Sequence, residues 1–205
     1  MFYDPRTGQH GLPHSPWLGC VTPRPIGWIS SLSRDSVRNL APYSFFNAIA
    51  DTPPMVMFSS NPRKDSQDNA ELSGEFVVNI ATWELREAMN RSSAPYGPEV
   101  DEFEAANLTP APCRNVSAPR VAESPIAIEC QYYDTIKLKP RSGVECYSSV
   151  IMGEVVGVHI DERILVDGII NVTKYNPLAR LGYLDYTVVN SFFTMPRPVL
   201  DKDGS

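Results

Sequence analysis

The segment Ile126-Ala-Ile-Glu-Cys-Gln-Tyr132 decides the fold class, because apolar and polar residues alternate along it. Every second residue from Ile126 to Tyr132 is apolar, and these side chains would share one face of a strand. Glu129 and Gln131 would lie on the opposite face. This period of two predicts a strand with one face in the core and the other in water.

Further segments rich in β-branched or aromatic residues repeat this pattern, each bounded by turn-forming residues. These predicted strands are Leu18–Thr22, Ile26–Leu32, Met55–Ser60, Phe76–Ile80, Val144–His159 and Tyr186–Val189. The predicted helices are Asp65–Ser73 and Thr82–Asn90, with Asp65 and Thr82 as N-caps, and a third near Val100–Asn107. Nineteen prolines and twelve glycines divide the chain into short pieces. The fold is therefore predicted to be mostly β with a few peripheral helices.

Length and composition predict a single domain, 1–205, with an N-terminal arm at 1–16 and a C-terminal tail at 191–205. The chain has 205 residues, of which 42% are hydrophobic and 20% charged, as is ordinary for a globular protein. No run approaches the roughly 20 apolar residues of a membrane helix, and the N-terminus lacks the features of a secretory signal. We expect a cytoplasmic protein without a membrane partner. A net charge of −6 with scattered basic residues also disfavours nucleic acid.

The titratable residues offer little for metal binding or acid–base catalysis. The four cysteines at positions 20, 113, 130 and 146 form no C-x-x-C pair and no cluster with a histidine in the sequence. This spacing argues against a zinc or iron–sulfur site, so no metal is expected. His10, His14 and His159 are interpreted as structural or solvent-facing. The sequence also lacks G-x-G-x-x-G, P-loop, H-E-x-x-H and G-x-S-x-G motifs.

Hydroxyl and amide residues concentrate at predicted strand ends in the first third of the chain. These residues are Ser30, Ser31, Ser44, Asn47, Ser59, Ser60 and Asn61. They would line one concave rim that suits a flat ligand with many hydrogen-bonding edges. Arg63 and Lys64 then precede a predicted helix, whose free N–H groups and dipole favour an anion. This segment is either a phosphate pocket or a solvated turn.

Several motifs occur in an order that resembles a known family. They are Thr22-Pro-Arg-Pro-Ile-Gly-Trp-Ile-Ser30, Asn39-Leu-Ala-Pro-Tyr-Ser-Phe-Phe-Asn47, Lys64-Asp-Ser66 with Asn69, Gly153-Glu-Val-Val-Gly-Val-His159 and Pro177-Leu-Ala-Arg-Leu-Gly182. The ordered set resembles the flavin-reductase-like, FMN-binding split-barrel family, which also contains flavoredoxin. One departure is the turn Ser33–Arg38, which lacks glycine. We expect that turn to have a different shape.

The resemblance implies a six-stranded Greek-key split β-barrel that forms a homodimer and holds FMN near the subunit interface. The implied contacts to the flavin ring and ribityl chain are Arg24, Pro25, Ile26, Ser30, Ser31, Ser44, Phe46 and Asn47. The implied phosphate contacts are Ser59, Ser60, Asn61, Arg63, Lys64, Ser66 and Asn69. Arg180 would either reach the cofactor or brace the barrel. Ser44 and Phe46 would share one side of the chain, since their spacing is two.

The implied activity is hydride transfer from NAD(P)H to flavin, chemistry that the cofactors carry, so no catalytic side chain is expected. The flavin would be either a prosthetic group or a substrate passed to a partner oxygenase. An alternative is a flavoredoxin-like electron carrier without nicotinamide activity, which could dock an electron acceptor through the acidic stretch Glu99–Glu104. A third possibility is a relative that binds no flavin.

Overall fold

The computed structural model describes residues 1–198, so positions 199–205 of the expected tail lie outside the described residues. The strands in this range are β1 (Arg24–Pro25), β2 (Gly27–Leu32), β3 (Arg38–Tyr43), β4 (Phe46–Asp51), β5 (Pro54–Ser60), β6 (Glu75–Ile80), β7 (Pro110–Ala111), β8 (Arg120–Val121), β9 (Ile126–Lys137), β10 (Ser149–Ile160), β11 (Leu165–Val166), β12 (Ile169–Ile170), β13 (Leu178–Arg180) and β14 (Tyr186–Val188). The helices are α1 (Trp17–Cys20), α2 (Asp65–Ser73), α3 (Arg86–Arg91) and α4 (Glu102–Ala106), with 3-10 turns at Glu162–Ile164 and Val172–Lys174.

The main sheet has seven strands in the order β3-β2-β6-β9-β10-β5-β4. All neighbouring pairs are antiparallel, and the longest pair, β9 with β10, carries irregularities just before Gly153 and just before Gly157. A smaller three-stranded sheet has the order β1-β13-β14. The prediction of a mostly β fold is confirmed. The six-stranded Greek-key detail is not confirmed, since the main sheet has seven strands and stays open within the described residues.

Aromatic packing curls the main sheet until its two ends approach each other. The ring of Tyr43 on β3 lies 4.8 Å from that of Phe58 on β5, and Phe58 lies 5.4 Å from Phe76 on β6. The line of contact between the β2–β3 end and the β4–β5 end of the sheet is the seam. It includes Gly27 of β2, where an added Cβ atom would lie 2.5 Å from the ring of Phe46 on β4. Strands at opposite ends of the sheet therefore meet through side chains, although they share no ladder of hydrogen bonds.

Two hydrophobic clusters lie on the two faces of β2, as the alternation of a strand requires. Ile29 faces the inner cluster with Phe58 and Phe76, whereas Trp28 faces a second cluster with α4 and β13. Both side chains are fully buried. The indole Nε1 of Trp28 donates to the hydroxyl of Ser92 at 2.9 Å, which satisfies its polar atom.

Helix α2 has the predicted bounds, but other elements differ from the predictions. The cap position of α2 is Lys64, and Asp65 is the first helical residue. The predicted strand Leu18–Thr22 is wrong, because α1 occupies most of it. The second helix begins at Arg86 and not at Thr82, whose backbone instead forms an isolated bridge with Pro177. The edge strands β3 and β4 were missed, because a turn-rich edge has no clear alternation.

Two serines stabilise the glycine-free turn between β2 and β3. Ser36 has a positive φ of 62° and takes the left-handed conformation that glycine usually supplies. The N–H of Ser33 donates to the carbonyl of Val37 at 2.9 Å, and the N–H of Val37 donates back to the hydroxyl of Ser33 at 3.0 Å. Local side-chain bonding therefore stabilises a tight turn at this point.

The outer face of β9 differs from the prediction at Glu129, which is only 1% exposed. The segment between α4 and β9 folds over this face, and Val116 and Ala118 pack there against Val77 and Ala127. Because this cover also donates hydrogen bonds to the carboxylate, a charged residue is buried where alternation predicted contact with water.

We predict that Gly27→Ala destabilises the fold by about 1–3 kcal/mol, because the added methyl group would overlap the ring of Phe46 at the seam. Urea unfolding would measure the change in free energy. Gly19→Ala is a matched control, since a Cβ at Gly19 meets no atom within 4 Å. Equal stability of Gly27→Ala and the parent protein would contradict the seam contact.

Candidate functional site

Three segments from the first third of the chain converge at the seam of the sheet. The N–H of Ser59 donates to the carbonyl of Phe45 at 2.8 Å, which joins the end of β5 to the start of β4. Gly27 packs against the ring of Phe46, and Ser66 at the start of α2 donates to Asn39 on β3 at 2.7 Å. The structure therefore brings together the regions 22–31, 39–47 and 59–69, which belong to separate strands and the start of α2.

A buried network centred on Asn39 fixes this arrangement. The amide oxygen of Asn39 accepts from the hydroxyls of Ser66, at 2.7 Å, and Ser31, at 3.3 Å. Asn69 donates to Ser31 at 3.1 Å, so α2 is attached to both β2 and β3. The amide nitrogen of Asn39 donates to Glu102 on α4 at 2.7 Å. Each of these side chains is buried, so the network is shielded from competition by water.

Glu102 is a buried carboxyl group at the edge of this network. One of its oxygens, Oε2, accepts from both Asn39 and the backbone N–H of Leu40. Burial raises the pKa of Glu102 from its ordinary 4.5 to about 7; the bond from Leu40 opposes the rise, and the charges of Asp65 and Asp101 add to it. Glu102 therefore titrates close to neutral pH.

A cavity of about 390 Å³, the seam cavity, opens beside this network, and Tyr43 reaches it from the seam. Its lining comes from β3, the start of α2, the 92–96 loop and α4: Asn39, Ala41, Pro42, Tyr43, Lys64, Asp65, Ser66, Ser92, Ser93, Ala94, Pro95, Tyr96 and Glu102. Its volume lies in the range of cofactor pockets. The buried hydroxyl of Tyr43 has no hydrogen-bond partner among the described residues, so a polar ligand could satisfy it. The volume and the free hydroxyl suit a polar ligand of cofactor size.

The two predicted cations differ in their surroundings. Arg63 forms ion pairs with Asp68 and, at 2.6 Å, with Glu71, so its charge is already balanced. Lys64 lines the cavity and forms no ion pair with any residue in 1–198. Lys64 also precedes the first turn of α2, where backbone N–H groups lack helical partners. Lys64 is thus the cation available to an anion in this cavity.

Two predicted arginines have their guanidinium groups engaged within the chain. Arg24 is buried and donates to the carbonyls of Leu18, Val21 and Leu181 at 2.5–2.7 Å. Arg180 stacks on the ring of Tyr186, 4.4 Å from its centroid, and donates to that residue's hydroxyl and to the carbonyl of Tyr183. The geometry of Arg180 favours the bracing alternative.

The remaining predicted site residues fall into two groups. Ile26, Ser30 and Ser60 are buried; Ser30 donates to the carbonyl of Pro119 at 2.6 Å and Ser60 to that of Pro62 at 2.8 Å. The residues with solvent access are Pro25, Ser44, Phe46, Asn47, Ser59 and Asn61. A ligand could contact this second group from the solvent side. The internal hydrogen bonds of Ser30 and Ser60 would then stay intact.

Sequence reasoning missed Asn39, Tyr43 and Glu102 as site residues. Asn39 and Tyr43 stand inside the quoted Asn39–Asn47 motif, which was a usable signal. Glu102 gave no signal, because an acidic residue in a charged stretch is usually solvated. Only the packing of α4 against β3 reveals its burial.

The curled antiparallel sheet and the cavity at its seam define a split-barrel protein of the flavin-reductase class. Residues 18–177 match the family described as "Flavin reductase like domain", and the chain belongs to this family. A protein of Aquifex aeolicus, described as uncharacterized, is 39% identical over 171 residues, covering 80% of this chain and 84% of the relative.

Two solved structures are similar over nearly the whole chain. Nitrilotriacetate monooxygenase component B from Bacillus cereus is 30% identical, with a TM-score of 0.87 and coverage of 95% of this chain and 98% of that one. The 2-nitrobenzoate 2-nitroreductase of Pseudomonas fluorescens is 26% identical, with a TM-score of 0.80 and coverage of 96% and 98%. None of the helices within residues 1–198 is long and apolar enough to cross a membrane.

We predict that Glu102→Gln removes a pH dependence of stability. The pKa of Glu102 is 4.5 in the unfolded chain and about 7 in the fold. The folded state binds more protons between these values, so the free energy of unfolding of the parent protein falls as pH rises from about 4.5 through 7. The amide oxygen of Gln can accept the same two bonds but does not ionise.

The variant should exceed the parent in stability by on the order of 2 kcal/mol above pH 7 and by much less near pH 5. Urea unfolding across this pH range is the measurement. Glu99→Gln, the same change at an exposed glutamate that forms no ion pair among residues 1–198, should leave the pH profile of the parent unaltered. Parallel pH profiles for Glu102→Gln and the parent would show that Glu102 does not titrate in this range.

Proposed function

We propose that this protein is an FMN-binding flavin reductase that uses NAD(P)H as its electron donor. The convergence of residues 22–31, 39–47 and 59–69, beside a polar cavity that the second and third of these segments line in part, carries the proposal, together with membership of the flavin reductase like family. Bound FMN would supply the chemistry, by accepting a hydride from the nicotinamide. The protein would bind the flavin, orient it and limit its contact with water.

Lys64 is the residue that we assign to the phosphate of FMN. Its ammonium group is available in the cavity, and the start of α2 adds backbone N–H donors and the positive end of the helix dipole. The hydroxyl of Tyr43 would add a hydrogen bond, and Ser66, whose hydroxyl already donates to Asn39, would contribute its backbone N–H in the first turn of α2. Near neutral pH Glu102 is partly protonated, since its pKa is about 7, and this weakens its repulsion of a phosphate.

The ring and ribityl chain of FMN would lie along the seam. The residues that we assign to these contacts are Arg24, Pro25, Ile26, Ser30, Ser31, Ser44, Phe46 and Asn47. Ser59, Ser60, Asn61 and Asn69 would complete the phosphate end, and Arg63 would join it only by leaving its ion pairs with Asp68 and Glu71. For the buried members, such as Ser30, Ser31 and Asn69, the hydrogen bonds described above indicate a positioning role.

We further propose a homodimer that passes reduced flavin to a partner oxygenase. Apolar side chains exposed on β9, β10 and the β11–β12 hairpin support the dimer, because a second copy could cover them. They include Ile136, Val158, Ile160 and Ile169. The similarity to component B of nitrilotriacetate monooxygenase supports an oxygenase partner.

The acidic side chains on the surface give less support to the electron-carrier alternative. Most acidic side chains of its candidate docking stretch, Glu99–Glu104, are paired with a cation or buried. Asp101 and Glu104 pair with Arg38, and Glu102 is buried. Of its four carboxylates, Glu99 alone is both exposed and without an ion pair among residues 1–198, so the stretch offers a weak acidic docking face.

Anaerobic addition of NADH, and separately NADPH, to the FMN-loaded protein tests the reductase proposal. We expect at least one donor to bleach the visible flavin bands within seconds to minutes. Flavin bands that persist with both donors, but bleach with a chemical reductant, would favour the carrier. A colourless protein whose melting temperature does not rise with FMN would indicate a relative that binds no flavin.

We predict that Lys64→Gln weakens FMN binding by roughly tenfold or more, because a charge-assisted bond to phosphate is lost. Quenching of flavin fluorescence during titration gives the Kd. Lys174→Gln is a control with the same chemical change at an exposed lysine outside this cavity. Riboflavin, which lacks the phosphate, should bind parent and Lys64→Gln equally. An unchanged Kd for FMN would rule out Lys64 as a phosphate contact.

A further inference from the structure

A second polar site lies on the outer face of the main sheet, under the segment that connects α4 to β9. Cys113 of that segment, Glu129 of β9 and His159 of β10 bring their ligand atoms within 4.8 Å of one another. The sequence suggested no cluster of cysteine with histidine, but folding assembles one from three separate segments. An adjacent cavity of about 540 Å³ is lined by Glu129, His159 and residues that do not line the seam cavity.

Glu129 is held rigidly as an ionised group. The backbone N–H groups of Arg114 and Asn115 donate to its two oxygens at 2.8 and 2.6 Å, and His159 Nε2 lies 2.5 Å from Oε1. Burial opposes ionisation, but these hydrogen bonds together outweigh it and lower the pKa of Glu129. Each carboxylate oxygen has two lone pairs, so Oε2 retains one for a further partner.

Glycine at position 157 leaves room for this carboxylate. A Cβ atom there would lie 2.9 Å from the side-chain nitrogen of Asn115 and 3.1 Å from the carboxyl carbon of Glu129. Asn115 in turn donates to the carbonyl of Val156 at 2.8 Å, which fixes the covering segment to β10. The carboxylate is therefore enclosed on three sides by backbone and side chains of its neighbours.

Cys113 does not have the properties of a nucleophile in this site. Burial and the charge of Glu129 raise the pKa of its thiol to about 12, with a smaller opposing effect of Arg120. The thiolate is the reactive form of cysteine, so thiol chemistry at neutral pH is disfavoured. A divalent cation would reverse this balance, because it would offset the negative charge and displace the thiol proton.

The ligand set of one sulfur, one nitrogen and one oxygen is that of a borderline metal ion. Zinc–ligand bonds of about 2.0–2.3 Å place tetrahedral ligand atoms roughly 3.3–3.7 Å apart. Small side-chain rotations would bring Cys113 closer to the other two residues and separate His159 from Glu129. Three protein ligands beside an open cavity match the zinc sites that keep a fourth position for water or another small ligand.

We propose that Cys113, Glu129 and His159 bind one divalent transition metal ion, with Zn²⁺ as the best fit, at a site separate from the seam cavity. Thiolate and carboxylate together balance the charge of the ion, and His159 binds as a neutral imidazole. The alternative is that Glu129 and His159 only attach the covering segment to the sheet.

Titration of Co²⁺ into the chelator-treated, full-length protein tests the proposal. We expect one Co²⁺ per chain, a thiolate-to-metal band in the near ultraviolet, and weaker bands at wavelengths longer than those of oxidised flavin. Added Zn²⁺ should remove all of them. No saturable binding, or a spectrum without the thiolate band, would show that these residues only attach the segment.

Cys113→Ser should abolish the thiolate band and lower Co²⁺ affinity by at least tenfold, since even the loss of an outer-shell partner costs 10- to 100-fold. Cys146→Ser, the same change at another partly buried cysteine, should alter neither. A thiolate band that persists in Cys113→Ser would overturn the assignment. X-ray absorption of the Zn²⁺-loaded parent protein needs no variant: one sulfur per zinc at about 2.3 Å is expected, and a shell without sulfur would contradict the site.

Discussion

The packing of aromatic rings across the inside of the curled sheet is the constraint on which the rest of the structure depends. Phe58 touches Tyr43 on one side and Phe76 on the other, so strands from both ends of the sheet share one core. Gly27 then permits the ring of Phe46 to close against β2. Because the ends meet through side chains and not through a ladder, the seam keeps free polar groups and space. The seam cavity opens beside Tyr43, one of the rings of this core.

The polar network around Asn39 converts this seam into an ordered surface. Asn39 bonds to Ser31, Ser66 and Glu102, which lie on β2, α2 and α4. The buried carboxyl of Glu102 costs desolvation free energy, which its two donors partly offset. Polar groups buried in this way fix one arrangement of neighbouring elements, since any other would leave them without partners. The site is therefore positioned by residues that a ligand need not touch.

Most of the regular structure could be predicted from the sequence. Particular residues and strands show which features could not. Alternation placed Cys130 and Ile128 toward the core, where both pack in the inner cluster. The same alternation predicted that Glu129 faces water, because a period of two cannot reveal that another segment covers the outer face. The edge strands β3 and β4 were missed for a related reason: their pairing partners, and not their own patterns, make them strands. In the site, the motifs indicated Lys64 and Ser66, whereas Glu102 was detectable only after folding.

The sequence by itself determined the mostly β class and the position of α2, because periodicity and turn residues are local properties. Tertiary structure alone decided which polar residues are free and which are bonded within the chain. Arg63 and Lys64 are adjacent, yet one is paired with two carboxylates and the other lines a cavity. Cys113, Glu129 and His159 are remote in sequence, yet they meet on one face of the sheet. Burial and charge pairing are sums over neighbours in space, and a linear pattern does not contain those neighbours.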